Sequence, residues 1–322
     1  MSQSWQPTAT IDTLKKRAAL FSRIREFFAK RGVLEVETPL MSHASVTDPY
    51  IISMTVNYKS IGSSDYQTHY LQTSPEYAMK RLLAAGSGAI YQLSKAFRQG
   101  EVGRLHNPEF TMLEWYRPGF DHHALMDEMS EFFKEVMQIK STERMTVHDV
   151  FQQYLNINPH QATLAELMAC ARQHVNDFSA DNEDRNFFLD LLFSHCIEPH
   201  LGQNYPLFLY DFPVSQAALA KIRPENPPVA SRFEVYFKGI ELANGFHELQ
   251  DAEEQRKRFE NNVLQRQQKQ LDAMPIDERF LSALKHGIPD CAGVAMGIDR
   301  LCMLASGCES IAEVLSFAYD KA

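Results

Sequence analysis

Apolar positions along the chain follow two periods. From Leu14 the spacing is helical: Leu20, Ile24, Phe27 and Phe28 form one stripe, Lys and Arg fill the opposite face, and Gly32 marks the stop. Residues 1–13 before it read as an N-terminal tail. A short strand over 33–37 is closed by Thr38-Pro39. Residues 42–68 are polar and turn-rich around one predicted strand, 50–56, and fit either a loop covering a substrate or a surface connection. Ser74-Pro75-Glu76 then opens a helix running to Leu83, because Pro is tolerated in a first turn and an acid favours the positive end of the dipole. Glu76 therefore also reads as an ordinary helix-start acid.

The period changes to two in the central stretch from Phe97 to Arg117, F-R-Q-G-E-V-G-R-L-H-N-P-E-F-T-M-L-E-W-Y-R. It predicts two strands joined by a polar loop that holds Gly100, Gly103, Arg98 and Arg104. Met112, Glu114 and Tyr116 share one strand face, with Thr111, Leu113 and Trp115 on the other. A carboxylate and a phenol between apolar residues suit a cationic ligand group, and the loop arginines suit phosphate. The same pattern fits an ordinary hairpin with a solvated loop.

Beyond it, Leu125, Met129, Phe132 and Val136 predict an amphipathic helix over 124–138. Residues 140–205 read as a mainly helical insertion, with a capping box at Thr163–Glu166 and a buried helix over 187–197. Its histidines, His174, His195 and His200, read as structural. Strands return at 207–212 and 232–238, where Phe233, Val235 and Phe237 alternate, and Gly239 turns the chain into 240–249. Residues 251–272 form a charged helix with a solvated face, another helix lies between Pro275 and Pro289, and 292–304 is a small-residue strand entering a helix.

Composition narrows the function classes. The 322 residues are 44% hydrophobic, enough for a substantial core, and the net charge of −9 argues against a broad nucleic-acid footprint. Five cysteines form no C-x-x-C pair, which fits reduced thiols better than a disulfide framework or a zinc knuckle. No leader pattern and no apolar run of spanning length is present, so a cytoplasmic protein with no membrane contact is expected.

Two further constellations carry chemistry. Glu241 and Glu248 flank Asn244-Gly245, a dipeptide favoured in two-residue hairpins. Such a turn predicts that 241 faces 248, and two carboxylates at about 4 Å repel by roughly 4 kcal/mol at an effective dielectric near 20. A cation between them is expected, and Mg²⁺, which combines one or two carboxylates with water and phosphate oxygens, is the natural candidate. Two exposed acids at a surface turn are the plainer alternative. The segment from Gly293 to Arg300 lacks the glycine spacing of a Rossmann or P-loop site. Its small residues instead allow a flat ring to approach the strand backbone, with Arg300 placed to stack on it or to contact phosphate.

Taken together, Gly32 to Pro39, the F-R…H-N-P-E-F segment and G-I-D-R resemble motifs 1, 2 and 3 of class II aminoacyl-tRNA synthetases, over nearly the whole chain from about residue 15. Ser74-Pro75-Glu76, Met112-Leu113-Glu114-Trp115-Tyr116 and the stretch from Glu241 to Leu249 resemble the lysyl-tRNA synthetase branch. The resemblance implies an α+β core, an antiparallel sheet flanked by helices, covering 14–322 with an insertion at about 140–205, and a homodimer formed through motif 1. It implies Arg98 on the α-phosphate of ATP and Phe110 and Arg300 on either side of the adenine. Gln99, Gly100, Glu101, Asn107, Leu242 and Gly297 would complete the nucleotide site. Glu241 and Glu248 would hold Mg²⁺, with Glu248 also near the amino acid. Ser74, Pro75 and Glu76 would meet the substrate α-amino group, Glu114 and Tyr116 the ε-ammonium, and Ala295 the pocket wall. A buried acid left unpaired by a neutral substrate discriminates strongly.

The chain also departs from the synthetases. Only about a dozen residues precede the first helix, so no anticodon-binding domain is expected and tRNA is an unlikely acceptor. Ala295 replaces a Gly, adding a methyl to the pocket wall. Phe97-Arg98-Gln99-Gly100-Glu101 replaces F-R-N-E, moving the acid from 100 to 101. This architecture is similar to the elongation factor P lysine ligases, whose members activate (R)-β-lysine with ATP and transfer it to a lysine ε-amino group of elongation factor P. A stand-alone lysine-activating enzyme with a tRNA or small-molecule acceptor, and a non-catalytic synthetase-like regulatory subunit, stay open as rivals.

Overall fold

The computed structural model describes residues 5–176, 178 and 183–322. Helix α1, Ile11–Lys30, starts earlier than its apolar stripe suggests because the Thr10 hydroxyl accepts from the Thr13 N–H, and it ends before Gly32 at φ +65°. The preceding residues are not a free tail: Thr8 and Ala9 donate backbone hydrogen bonds to Ser316 and Leu315, and Ala9 is buried. Strands β1 (Leu34–Glu35), β2 (Met41–Ser42), β3 (Thr55–Tyr58) and β4 (Gln67–Leu71) lead to α2, Glu76–Ala84. The central hairpin is β5 (Ile90–Phe97) and β6 (Glu109–Pro118).

Next come α3 (His122–Met137), β7 (Glu143–Thr146), α4 (Val147–Leu155), α5 (Leu164–His174) and α6 (Arg185–Leu192). They are followed by β8 (Leu207–Pro213), β9 (Ile222–Arg223), β10 (Val229–Phe237) and β11 (Ile240–His247). The chain closes with α7 (Ala252–Gln268), α8 (Glu278–His286), β12 (Cys291–Gly297) and α9 (Ile298–Ser306). The described residues of 140–205 are mainly helical, with capping boxes at Thr146–Asp149 and Thr163–Glu166.

These elements gather into two compact units. The first holds the chain up to Gly119, Gln250–Cys291 and Ala295–Ala322; the second holds Phe120–Leu249 and Ala292–Val294. In the first, β5 and β6 pair antiparallel from Ile90↔Tyr116 to Phe97↔Glu109, β1 adds a parallel edge to β5, and β2-β4-β3 form a separate small sheet. The two faces of the hairpin are covered differently. Phe28 of α1 stacks on Tyr91 at 4.3 Å and meets the edge of Trp115, while Met79 and Leu83 of α2 pack with Ile90 and Tyr116. Each of these fully buried aromatic or aliphatic side chains contributes roughly 1.5–3 kcal/mol.

The second unit is the antiparallel run β11-β10-β8, with β9 beside β10 and β7 parallel to β8. Its core joins α4, α5 and α6 to the strands through Val150, Leu167, Phe188, Leu192, Leu209 and Tyr236. Both units are antiparallel-dominated sheets flanked by helices, as the sequence predicts.

One local expectation fails. Asn244-Gly245 makes no turn: β11 passes straight through it, and the hairpin closes at Lys238 and Gly239, both at positive φ (53° and 67°). Gly245 serves packing instead, since a Cβ there would lie 2.4 Å from Phe233 Cζ and 3.1 Å from the Gly293 carbonyl oxygen. Glu241 therefore does not face Glu248 across a turn. Glu241 lies opposite Tyr236, and Glu248 forms an isolated bridge with Ala220.

Candidate active site

Glu114 is the centre of the first unit's polar interior. It projects from β6 and is 1% exposed. The Tyr116 hydroxyl donates to one carboxylate oxygen at 2.5 Å, and the Ser74 hydroxyl donates to the other at 2.8 Å. Alternation puts Tyr116 beside Glu114, and the hydrogen bond confirms that they share a face. Ser74 arrives from the turn before α2, where its hydroxyl also accepts from the Glu76 N–H at 3.1 Å, while Pro75 occupies the N-cap without a side-chain bond. Burial, then the nearby Glu76 carboxylate, push Glu114 up to about 8, against the opposing pull of both hydroxyls and Lys80.

The Lys80 ammonium, 1% exposed, lies 2.6 Å from Glu76. Sequence reasoning missed Lys80; its signal was the i,i+4 spacing from Glu76 on a helix that otherwise buries Met79 and Leu83. Two acids and one lysine leave this pocket one positive charge short when Glu114 is ionised, an arrangement that accepts an ammonium.

The loop between β5 and β6 and its flanks carry Arg98, Gln99, Gly100, Glu101, Asn107 and Phe110 of the predicted nucleotide residues. The Arg98 guanidinium lies over the Phe110 ring, 5.1 Å from its centroid, and its buried Nε has no hydrogen-bond partner among the described residues. Gly100, at φ +82°, turns the loop so that the Glu101 carboxylate comes back to within 3.7 Å of Arg98. The displaced acid thus returns to the arginine. The loop backbone is pinned by Gln99 N–H to the Ile52 carbonyl and Arg98 N–H to the Pro108 carbonyl. The Asn107 amide donates to the Glu109 carbonyl and accepts from the Tyr319 N–H.

Arg300, at the start of α9, donates to the Leu105 carbonyl and lies 2.8 Å from His106 Nε2. Burial and the Arg300 charge hold His106 below the usual imidazole range, so its ring nitrogen is free to accept. Asp299 does not pair with Arg300. Its carboxylate binds Arg17 of α1 at 2.6 Å and accepts from the Thr111 N–H at 2.8 Å, which ties α1 and β6 to the start of α9. Ala295 and Gly297 lie at the end of β12 that leads into α9.

Glu241, Leu242 and Glu248 belong to the second unit. Leu242 is buried, and it is the extra residue of a β-bulge: Val235 pairs with Ala243 while Tyr236 pairs with Glu241. In a regular strand, residues seven apart point to opposite faces. The bulge shifts the alternation by one and returns Glu241 and Glu248 to the same face. Glu248 is 1% exposed.

Glu241 lines a cavity of about 270 Å³ together with Asp190, Glu198, Arg232, Glu234 and Tyr236. Glu234 accepts from Arg232 and from the Tyr236 hydroxyl. Burial pushes Asp190 up to about 6, with Arg232 opposing. Four carboxylates against one guanidinium favour a cation, and Glu234 and Glu241 offer the two carboxylates that Mg²⁺ uses alongside phosphate oxygens. No group of three or more metal-binding side chains is present among the described residues. Glu234 was read only as part of an alternating strand; the bulge that puts it beside Glu241 has no sequence signature of its own.

Known proteins give the family of the chain. The family model for class II tRNA synthetases (D, K and N) matches residues 5–321. The chain is 54% identical over 322 residues to the elongation factor P--(R)-beta-lysine ligase of Vibrio cholerae, covering 100% of this chain and 99% of that protein. Proteins of the same name from Vibrio parahaemolyticus (53%, 100% of both chains) and Yersinia enterocolitica (52%, 99% and 98%) are similarly close. With a family match over residues 5–321 and relatives more than half identical from end to end, the chain belongs to the class II tRNA synthetase family.

Proposed function

We propose that this protein activates (R)-β-lysine with ATP and transfers it to the ε-amino group of a lysine on elongation factor P. The observation that carries this reading is the buried Glu114 carboxylate, bonded only to hydroxyl donors and placed beside Glu76. The names of relatives more than half identical, elongation factor P--(R)-beta-lysine ligases, supply the isomer and the acceptor.

In the first step a substrate carboxylate oxygen attacks the α-phosphorus of ATP and pyrophosphate leaves. Arg98 neutralises charge developing on the α-phosphate, and Arg300 with Phe110 holds the adenine. Glu114 and Tyr116 receive the side-chain ammonium, and Glu76 the second amino group. In the second step the acceptor amine attacks the adenylate carbonyl carbon, AMP leaves and the amine loses a proton. Positioning and charge neutralisation do the work, with no protein nucleophile. Mg²⁺, when bound by Glu241 with Glu234 or Glu248, would neutralise phosphate charge.

The reading includes a single catalytic core over 14–322 with the 140–205 helices as an insertion, and a cytoplasmic homodimer paired through motif 1. The exposed Leu34 of that segment, with exposed Leu40 and Met41 directly after it, supports the pairing. The test is ATP–pyrophosphate exchange with Mg²⁺, comparing (R)-β-lysine with L-α-lysine, followed by the intact mass of added elongation factor P. Exchange with β-lysine and a lysyl-sized mass gain is expected. Aminoacylation of bulk tRNA would favour the tRNA rival, and no exchange with either isomer would favour a regulatory subunit.

A further inference from the structure

Strand pairing sets Gln92 of β5 directly opposite Glu114 of β6. Opposite residues of an antiparallel pair share a face, with Cβ atoms about 4.5–5.5 Å apart. Gln92 is 2% exposed, and its side-chain carbonyl oxygen has no hydrogen-bond partner among the described residues. The neighbouring buried glutamine is treated differently: the Gln72 amide donates to the Lys95 carbonyl at 2.7 Å. The fold thus satisfies one glutamine of this region and leaves an acceptor of the other unused beside the acid that meets the substrate.

A buried acceptor without a partner destabilises a folded protein, and an apolar residue of the same shape is neutral or better. An amide at this position is explained by a donor that arrives from outside. An ammonium brings three N–H donors and no acceptor, whereas both oxygens of Glu114 already accept from hydroxyls. A neutral acceptor completes the set without further raising the proton affinity of Glu114, which a third carboxylate near Glu76 would do.

We propose that Gln92 is a specificity residue whose side-chain oxygen accepts a hydrogen bond from the substrate ammonium held by Glu114. The proposal rests on the lysine-activating function given above. It makes the pocket read the direction and number of N–H donors as well as charge. A substrate ending in a methyl group leaves Glu114 without a counter-charge and Gln92 without a donor, and an N-methylated ammonium forfeits one of the two contacts.

The test is the Gln92→Met variant of the full chain, which keeps volume and removes the acceptor, with Gln92→Leu as a second variant. Pyrophosphate exchange with (R)-β-lysine and thermal unfolding are measured on both and on the wild type. A hydrogen bond to a charged group predicts a rise of roughly tenfold or more in KM for the amino acid. The KM for ATP is expected to stay unchanged, with Tm unchanged or raised. An unchanged amino-acid KM in a folded variant overturns the role of Gln92. So does a fall in Tm accompanied by equal losses toward ATP and amino acid, which marks a structural residue. Wild-type protein that exchanges with no lysine isomer removes the function reading and this proposal together, whereas wild-type exchange with an unaltered variant removes only the proposal.

Discussion

The ammonium of Lys80 lies 2.6 Å from a carboxylate oxygen of Glu76, one helical turn away, and the lysine is almost fully buried. The acid assigned to the substrate's amino group is therefore already half-neutralised from below. Removing one member of a buried pair leaves the other charge uncompensated, at a cost of about 3–5 kcal/mol. Lys80→Met is expected to lose about 3 kcal/mol, the low end because Glu76 keeps some exposure, as a lower denaturation midpoint in urea. An unchanged midpoint would show that the pair is energetically idle.

Glu114 sets a pH dependence for substrate binding. An ammonium binds its carboxylate, yet in the free protein burial and Glu76 hold the pKa at about 8. Below that pH a proton must leave first, so affinity for (R)-β-lysine is expected to weaken about tenfold per pH unit, levelling off above pH 8. Glu114→Gln is expected to impair lysine activation much more than ATP binding and to flatten the profile. Calorimetric titration between pH 6 and 9 measures both, and a flat wild-type profile counts against the assignment.

The same group affects folding stability with the opposite slope. Its ordinary value is 4.5 and the folded value about 8, so the folded chain holds the proton more tightly. That contribution is fully present below pH 4.5 and is lost as pH rises through 8. Between those limits Glu114→Gln should lose less stability with rising pH than the wild type, read from urea midpoints at pH 5.5 and 8.5.

Arg17 reaches from α1 to Asp299 at 2.6 Å and to the Thr111 hydroxyl at 2.9 Å. Arg17→Ala strands a buried carboxylate one residue from Arg300, with an expected loss of about 3 kcal/mol. The KM for ATP should rise as Arg300 loses its anchor. The double variant Arg17→Ala, Asp299→Ala should recover part of the stability, because the uncompensated charge is gone. Strict additivity of the two single changes would show that they do not interact.

Gly245 is required by Phe233 rather than by a turn. Adding a Cβ 2.4 Å from the phenyl ring overpacks the strand pair, so Gly245→Ala should lose about 1–3 kcal/mol. Phe233→Leu in the same chain should return part of it in thermal melts. A Gly245→Ala protein as stable as wild type would mean that the ring has room to move.

Local rules and motif order made much of this protein legible. The stripe of Leu20, Ile24, Phe27 and Phe28, the capping box at Thr163 and the alternation that puts Glu114 and Tyr116 on one face depend on neighbours a few residues apart, and the structure reproduces them. The family was readable because the three motifs occur in order.

Tertiary structure alone decided what depends on partners distant in sequence. Asn244-Gly245 carries a strong turn signal, but Lys238-Gly239 closes the hairpin first, and Phe233 needs a glycine opposite. The bulge at Leu242 sets which acids join Glu241, a phase that a one-residue register change reverses and that no local propensity encodes. Likewise, Lys80, Arg17 and Gln92 are unremarkable in sequence. Their roles come from burial, because only a low-dielectric interior makes an ion pair strong and an unpaired carbonyl costly.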